Sequence, residues 1–383
     1  MRIALVTETF YPATGSPVMS EAATTVKALA DQAIDDGHQV LLIAAAPGQP
    51  TYRRARVLRI SPLAATGRQI RAGIDGFGAE AVVCLDPGRL GRRALAHGAR
   101  SGLRTVVVQQ SQSHDPTWST RVADHAEQVL TTSRWLHHCF ERIGVATEVW
   151  RPGVDSAAFT PVLRDPWLHD RWSRAKQARA GTAPLTVVGY AGRLAGRHGV
   201  RRLAELAGMP GLRLVVIGDG PQRGWLEGRL PEAKFTGALG TGDLAIALAS
   251  LDVFVHPGER EGAGHMLREA AATALPVVAP QAAAAAELIS HLETGYLYDP
   301  RRPRQLADAV GAVVADPRRV LLGERAREWA GRRSWPQAAT ELLARLTDPG
   351  AGPARVAVPA PRHDAATEAI SDPLSGRGTA TRR

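Results

Sequence analysis

Two glutamates, Glu261 and Glu269, are separated by seven residues in the segment Glu261-Gly-Ala-Gly-His-Met-Leu-Arg-Glu269. Apolar, strand-like runs flank the segment at residues 251–256 and 276–279, so we predict Glu261 on a loop and Glu269 about one turn inside a helix. The start of a helix offers free backbone N–H groups and a positive dipole, which suit a diphosphate. Carboxylates can accept hydrogen bonds from sugar hydroxyls. The spacing therefore indicates a nucleotide-sugar site.

The glutamates belong to a chain with a repeated α/β pattern. Short β-branched apolar runs alternate with helix-length segments through both halves of the 383 residues, which are too many for one ordinary core. Continuous apolar strands separated by helices are typical of parallel sheets that helices cover on both faces. We therefore predict two doubly wound, Rossmann-like α/β domains, with ligands collected at the carboxyl ends of the strands.

The segment from Glu261 to Glu269 resembles the Glu-x7-Glu signature of retaining glycosyltransferases of family 4, which adopt the two-domain GT-B fold. Gly264 and the Glu269-Ala270 pair match this signature, whereas Ala263 stands where the family usually has Phe. On these residues the chain is similar to mannosyl- and glucosyltransferases of the actinobacterial type. Further resemblances at 150–159, 190–200, 215–221, 276–278 and 294–300 extend the similarity over about residues 1 to 346, and it is strongest from Gly192 to Pro300.

The resemblance implies how the domains are arranged. Residues 1–160 would form an N-terminal acceptor domain, to which a crossover helix at 333–347 returns, and residues 161–332 would form a nucleotide-sugar donor domain. The two Rossmann-like domains would face each other across a cleft. Residues 348–383 are rich in Pro, Gly, Ala and Arg without apolar periodicity, so we expect a disordered tail there.

Glycosyl transfer must stabilise the charge that builds on the departing diphosphate, with a metal ion or with fixed cations. The sequence has no Asp-x-Asp pair and no His or Cys cluster placed for Mg²⁺ or Mn²⁺, so we expect no metal and no cofactor. Residues 190–200 resemble the family's Gly-Arg-Leu-x-x-Glu-Lys-Gly-Val, with Arg193 in the place of its diphosphate-binding Arg. His198 replaces the Lys and Arg197 the Glu, and a guanidinium group at Arg197 can take over the role of the lysine.

The resemblance also implies roles for the residues around the donor. Arg193, Arg197 and Glu261 would be catalytic: the arginines hold the diphosphate, and Glu261 orients the sugar through its hydroxyls. Glu269 would bind the ribose hydroxyls. Ala283 and Ala284 replace two glycines of the family, which predicts a shifted loop or a weaker sugar contact because alanine disfavours positive φ. The predicted donor-binding residues are Gly15, Gly192, His198, Gly218, Gly264, His265, Met266, Leu267 and Glu269.

Acceptor-side residues are expected after the strand at 105–108, where the family has a His or Tyr-Gln segment. Gln109 or Gln110 is the candidate, and His114 lies on the following loop. A glutamine can hydrogen-bond hydroxyl groups but cannot act as a general base, so its role would be positioning.

The formal net charge is +10 and comes almost entirely from arginine. It favours anionic partners such as nucleotide diphosphates and anionic lipid surfaces, and no nucleic-acid-binding motif accompanies it. The chain has only two cysteines, no apolar stretch long enough to span a bilayer, and a first strand directly after Met1-Arg2. We therefore expect a cytoplasmic protein, with peripheral docking at the inner face of the plasma membrane as an option.

Together these features predict a retaining, metal-independent glycosyltransferase. It would move a mannose- or glucose-type hexose from GDP-mannose or a UDP-hexose to a glycolipid or glycan acceptor. The sequence leaves two alternatives open. The replacement of Lys by His198 and of glycines by alanines is compatible with a nucleotide-sugar-binding regulator that has lost turnover, and an epimerase could use the same architecture.

Overall fold

The computed structural model describes residues 1–10, 21–61, 65–113, 115–174 and 183–347. Gly15, His114 and the predicted tail at 348–383 lie outside the described residues. Within them the chain forms two sheets, and hydrophobic clusters cover both faces of each. The α/β fold with two doubly wound sheets, predicted from the sequence, is confirmed.

The first sheet contains β1 to β8 and the second β9 to β14. The strands are β1 (Arg2–Val6), β2 (Gln39–Ala45), β3 (Thr51–Tyr52), β4 (Ala55–Ile60), β5 (Ala81–Leu85), β6 (Arg104–Gln109), β7 (Gln128–Thr131), β8 (Glu148–Val149), β9 (Thr186–Ala191), β10 (Leu212–Ile217), β11 (Lys234–Gly237), β12 (Val253–Val255), β13 (Val277–Pro280) and β14 (Gly295–Tyr298). The helices are α1 (Glu21–Asp35), α2 (Thr66–Phe77), α3 (Arg89–Arg100), α4 (Trp118–Arg121), α5 (Arg134–Glu141), α6 (Pro166–Ser173), α7 (Arg223–Arg229), α8 (Thr241–Ala249), α9 (His265–Ala272), α10 (Ala283–Leu288), α11 (Gln305–Ala315), α12 (Arg319–Gly331) and α13 (Trp335–Thr347).

The strand order of each sheet determines where a ligand can collect. The first sheet runs β3-β4-β2-β1-β5-β6-β7-β8, and the second runs β11-β10-β9-β12-β13-β14. Among the named strand pairs only β3 and β4 are antiparallel. The order reverses direction beside β1 in the first sheet and beside β9 in the second, and such switch points open a crevice at the carboxyl ends of the strands.

Four strands are missing from the sequence prediction, namely β3, β4, β8 and β14. β4 alternates between buried and exposed positions, with Ala55 and Val57 inside and Arg56 outside. A search for continuous apolar runs misses this pattern because such a strand has only one fully apolar face. β3 and β8 have two residues each, too few for a periodicity.

The last helix returns to the first sheet. α13 packs against α1, and its Ala338 and Leu342 share a hydrophobic cluster with Leu29. The indole Nε1 of Trp150 donates a hydrogen bond of 2.9 Å to the carbonyl oxygen of Ala338. This packing places a helix from the end of the chain on the N-terminal core. The residue limits predicted for the two domains stay a prediction.

Candidate active site

A cleft between the two sheets collects residues from both of them. Its volume is about 1570 Å³. On one side it is lined by residues that follow β1, β5 and β6, and on the other by residues that follow β9, β10 and β12. After the roles that the family resemblance predicts for them, we call the two sides the acceptor lobe and the donor lobe. The predicted residues Gly192, Arg193, Arg197, His198, Gly218, Glu261, His265, Met266, Glu269 and Gln110 all line the cleft.

Glu261 lies immediately before α9. Gly264 adopts a positive φ of 69° just before this helix, a conformation that glycine reaches without steric cost. Its amide N–H donates a hydrogen bond of 2.9 Å to Oε1 of Glu261. The sequence predicted that this amide would help to bind the diphosphate, but in the structure it donates to Glu261 instead. The amides of the next three residues remain for a ligand, because the first N–H groups of a helix have no intrahelical acceptor.

The Glu261 carboxylate is stabilised by its neighbours. Burial raises its pKa, but the hydrogen bond with Glu21, the nearby His256 and the Gly264 amide outweigh burial, so the pKa falls well below its usual value. Nε2 of His256 lies 3.6 Å from Oε2 of Glu261. Glu261 is therefore a carboxylate at neutral pH, able to accept hydrogen bonds from hydroxyl groups.

Glu269 lies inside α9 and differs from Glu261 in its charge. Burial, followed by repulsion from Asp155, raises the pKa of Glu269 to about 8. With this pKa the side chain is mostly protonated at neutral pH. A ribose diol that donates to both of its oxygens must displace that proton.

The turns after β9 and β10 are built from glycines in contact with each other. Gly192 and Gly218 have φ values of 149° and 137°, which only glycine adopts readily. A Cβ atom on Gly218 would overlap the carbonyl oxygen of Gly192. The close approach of the two loops brings backbone to the edge of the cleft.

Arg193 and Arg197 are exposed, and neither forms an ion pair with a described residue. Nε of Arg197 donates a hydrogen bond of 3.1 Å to Nε2 of His198. Burial, followed by the Arg197 charge, lowers the pKa of His198, so its imidazole is neutral and can accept that bond. His198, which occupies the lysine position of the resemblance, therefore supplies no charge itself but orients an arginine.

On the acceptor lobe, Gln110 belongs to a buried hydrogen-bond network that crosses the cleft. Its Oε1 accepts a hydrogen bond of 2.7 Å from Oγ1 of Thr25 and lies 3.1 Å from Nε2 of His265. Its Nε2 has no partner among the described residues, so this amide can donate to a ligand hydroxyl. Gln109 does not line the cleft, and its Nε2 donates to the carbonyl of Ser111. Between the two glutamines, the structure places only Gln110 at the site.

Two other predicted donor-binding residues, Leu267 and Gly264, are not among the residues that line the cleft. Leu267 is 2% exposed and packs in the core of the donor lobe. Thr132 on the acceptor lobe donates a hydrogen bond of 3.0 Å to the carbonyl of Gly262. The loop before α9 is therefore held against the acceptor lobe, and the cleft is closed at this point.

Sequence reasoning missed three residues of the cleft: Glu21, Asp86 and His256. Asp86 follows β5 and accepts hydrogen bonds from the amides of Gln110 and Ser111, and its place at a strand end was a usable signal. His256 follows β12 at the end of an apolar run that was assigned to a strand; its ring nitrogens have no hydrogen-bond partner among the described residues. Glu21 belongs to no recognisable motif.

Within the described residues, one trio has the spacing of metal ligands, namely His137, His138 and Glu141. It lies on the exposed side of α5 and does not line the cleft. No described helix is both long and apolar enough to traverse a lipid bilayer.

Comparison with known proteins agrees with this geometry. The family described as glycosyl transferases group 1 matches residues 173–329. Over 376 residues the chain is 34% identical to a GDP-mannose-dependent alpha-mannosyltransferase of Mycobacterium tuberculosis, and the match covers 90% of this chain and 95% of that protein. A protein with the same description from Mycolicibacterium smegmatis is 32% identical, with 90% and 96% covered.

The fold is similar to that of solved structures. The sucrose-phosphate synthase of Thermosynechococcus elongatus superposes with a TM-score of 0.75 at 19% identity, covering 90% of this chain and 98% of that one. At this identity the likeness shows the fold alone. The GT-B fold predicted from the sequence is confirmed.

Proposed function

This chain belongs to the group 1 glycosyltransferases, and from that premise we propose that it transfers mannose from GDP-mannose to a hydroxyl group of a glycan or lipid-linked acceptor. One observation carries the proposal: Arg193 and Arg197, which are exposed and have no ion-pair partner among the described residues, line the same cleft as the Glu261 carboxylate. Relatives that are named as GDP-mannose-dependent and align over nearly their whole length support the choice of donor.

The chain is a hexosyltransferase. Its relatives over 90% of its length are enzymes, so the alternative of a binding protein that has lost turnover is not supported. The His198 substitution that motivated this alternative also has a structural explanation, because the neutral imidazole accepts a hydrogen bond from Arg197.

Arg193 and Arg197 would neutralise the diphosphate as the anomeric bond breaks. A guanidinium group keeps its charge at any physiological pH and can bind two phosphate oxygens at once. The amides at the start of α9 add hydrogen-bond donors and the positive end of the helix dipole. Groups that are oriented before the reaction stabilise developing charge most effectively, and the hydrogen bond to His198 orients Arg197 in this way.

Glu261 would accept hydrogen bonds from the sugar hydroxyls and fix the sugar ring over the leaving phosphate. The acceptor hydroxyl would attack from the face on which the phosphate leaves, and a leaving-phosphate oxygen would take its proton, so the anomeric configuration is retained. Gln110 would position a hydroxyl group through its free Nε2. Closure of the two lobes would exclude water, which limits hydrolysis of the donor.

The same groups would replace a divalent cation, so we propose a reaction without metal. Turnover should then be the same with EDTA as with added Mg²⁺ or Mn²⁺. Loss of turnover with EDTA and its recovery with Mn²⁺ would contradict this part of the proposal.

The formal net charge of +10 bears on the acceptor and the cellular location. We propose that a cytoplasmic enzyme with this charge docks on an anionic membrane that carries the acceptor. Two arginines of the acceptor lobe contribute less than their full charge, because Arg53 pairs with Asp31 and Asp35, and Arg92 with Asp115. If the enzyme docks in this way, its sedimentation with vesicles should require anionic lipid and weaken with added salt. Binding that is indifferent to both would leave a soluble glycan as the better acceptor.

The decisive experiment measures release of free nucleotide from a panel of GDP-, UDP- and ADP-sugars with a mixed set of acceptors. We expect GDP-mannose to give the fastest release, and Glu261→Ala to abolish it. Glu259→Ala is the matched control, because this exposed glutamate lies two residues away and pairs with Arg202. Conversion of the donor without an acceptor would favour the epimerase alternative instead.

A further inference from the structure

Glu21 is the first residue of α1, on the acceptor lobe, and it lines the same cleft as Glu261. Thr25 follows one turn later on the same face of the helix. Its Oγ1 lies 3.2 Å from Nε2 of His265, the first residue of α9. The beginning of α1 is thus held against the beginning of α9, and this contact brings Glu21 to Glu261.

Glu21 and Glu261 face each other in the cleft closely enough for a hydrogen bond between their carboxyl groups, which requires one of them to carry a proton. Burial, followed by repulsion from Glu261, raises the pKa of Glu21 well above its usual value, and the carboxylates of Asp86 and Glu269 raise it further. Glu261 is held as the carboxylate by its other neighbours. Glu21 is therefore the protonated member of the pair and donates its hydrogen bond to Glu261.

We propose that Glu21 is a second sugar-binding residue, which contacts the transferred hexose from the acceptor lobe while Glu261 contacts it from the donor lobe. Before the donor binds, the Glu21 carboxyl group donates a hydrogen bond to an oxygen of Glu261. When the donor binds, sugar hydroxyls replace this contact and bind between the two side chains. The inference rests on the proposed function, because it assumes that the hexose of the donor lies beside Glu261.

The protonation of Glu21 suits a site that binds an anionic donor. Two carboxylates facing a diphosphate sugar would repel each other and the donor, whereas a pair that shares one proton carries only one negative charge. A protonated carboxyl can also both donate and accept a hydrogen bond, so it can hold a hydroxyl group that already donates to Glu261. Because Glu21 and Glu261 belong to different lobes, the sugar would contact both side chains only when the cleft is closed.

The test compares the affinity for the sugar nucleotide with the affinity for its nucleoside diphosphate. We measure Kd for GDP-mannose and for GDP by calorimetry on the wild-type protein and on the Glu21→Ala and Glu21→Gln variants. The ratio of the two affinities isolates the sugar, because GDP contacts the rest of the site in the same way. At about pH 7, Glu21→Ala should lower this ratio about tenfold or more, with the affinity for GDP unchanged.

The pH dependence of the ratio separates a sugar contact from a merely structural role. A raised pKa means that Glu21 is protonated below that pKa and loses its proton above it, so the wild-type ratio should fall as the pH rises through that pKa. The amide of Glu21→Gln resembles the protonated acid and does not titrate. This variant should therefore keep the ratio constant over the pH range in which the wild-type ratio falls. The effect of Glu269 on the ribose cancels in the ratio.

Asp35→Asn is the matched control, since it removes a carboxylate of the same helix about 21 Å away along its axis, where Asp35 pairs with Arg53. It should leave the ratio unchanged at every pH. A ratio that is unchanged or increased in Glu21→Ala would overturn the inference. So would a ratio in Glu21→Gln that falls with rising pH as much as the wild-type ratio does.

The inference and the proposed function fail in different ways. If the wild-type protein prefers another sugar nucleotide, the choice of GDP-mannose is wrong, and the same ratio is then measured with the preferred donor and its own diphosphate. A lower ratio of the two affinities in Glu21→Ala, measured with that donor, would still support the sugar contact. A normal ratio in this variant, together with normal wild-type transfer, would overturn the Glu21 contact alone.

Discussion

The two sides of the cleft differ in charge and in hydrogen bonding. The donor lobe presents Arg193 and Arg197, which are exposed and have no ion-pair partner among the described residues. The acceptor lobe presents Glu21, Asp86 and Gln110, whose polar atoms are mostly engaged with protein groups. The difference matches the two chemical tasks, because a leaving diphosphate needs fixed positive charge and a reacting hydroxyl group needs hydrogen bonds without a strong field.

The largest effect is expected on the basic side. Arg193→Ala removes a charge that stabilises the departing diphosphate, so kcat should fall by about 10²- to 10³-fold. The control is Arg201→Ala, which removes an exposed arginine of the same lobe that stacks on Trp225. Steady-state kinetics with both variants would test the comparison, and equal, small losses would mean that Arg193 does not bind the diphosphate.

The acidic groups of the donor lobe should make binding depend on pH. The pKa of Glu269 is raised to about 8, and the ribose contact that we predict for this residue requires its ionised form. Affinity for GDP should therefore rise with pH up to the pKa and level off above it, by about tenfold between about pH 7 and pH 9. Glu269→Gln should give a weaker, flat profile in calorimetric titrations. A wild-type profile that is flat over this range would argue against a ribose contact.

The two lobes are also joined at a second place, away from the arginines. Glu287 of the donor lobe accepts hydrogen bonds of 3.1 and 2.8 Å from the amides of Arg134 and Trp135, at the start of α5 on the acceptor lobe. A carboxylate at this position caps the helix and meets its positive dipole. Glu287→Ala should destabilise the protein by about 1 kcal/mol, measured by denaturant unfolding.

The control for Glu287 keeps an acceptor without the charge. Glu287→Gln should lose less stability than Glu287→Ala, and the difference between them should shrink with added salt. If the contact holds the lobes together, KM for the donor should rise in Glu287→Ala. The affinity for GDP should stay similar, because we expect GDP to contact the donor lobe. Unchanged stability in both variants would show that the lobes are held elsewhere.

The two sides also differ in how much of them could be predicted. Arg193, Glu261 and Glu269 lie in short contiguous segments after strands, so the spacing and the family resemblance of these segments were enough to predict residues that share one cleft. Glu21 and Thr25 reach the site only because α1 packs against the start of α9, and Thr25 and His265 are 240 residues apart in the chain. Such a contact has no periodicity and no local spacing, and tertiary packing alone creates it.

The glycine replacements gave a partly different outcome. The sequence predicted that Ala283 and Ala284 would shift their loop or weaken the sugar contact. In the structure Ala283 itself adopts a positive φ of 48°, the region that glycine prefers, and Ala284 donates its amide to the carbonyl of Glu261 with a distance of 3.0 Å. The loop thus takes up a glycine-like backbone at a steric cost. Whether the sugar contact is weakened stays a prediction.

The steric cost of the positive φ at Ala283 predicts a small change in stability that involves the donor lobe alone. Ala283→Gly should stabilise the protein by about 1 kcal/mol, because an alanine in the left-handed region pays for the contact of its Cβ with the backbone. Ala284→Gly should destabilise it by a similar amount of about 1 kcal/mol, since this residue lies inside α10 with ordinary helical geometry. Thermal unfolding should therefore shift in opposite directions for neighbouring substitutions of the same kind. A shift in the same direction would mean that the positive φ of Ala283 is not strained, and that the loop differs from a glycine loop in shape as well as in sequence.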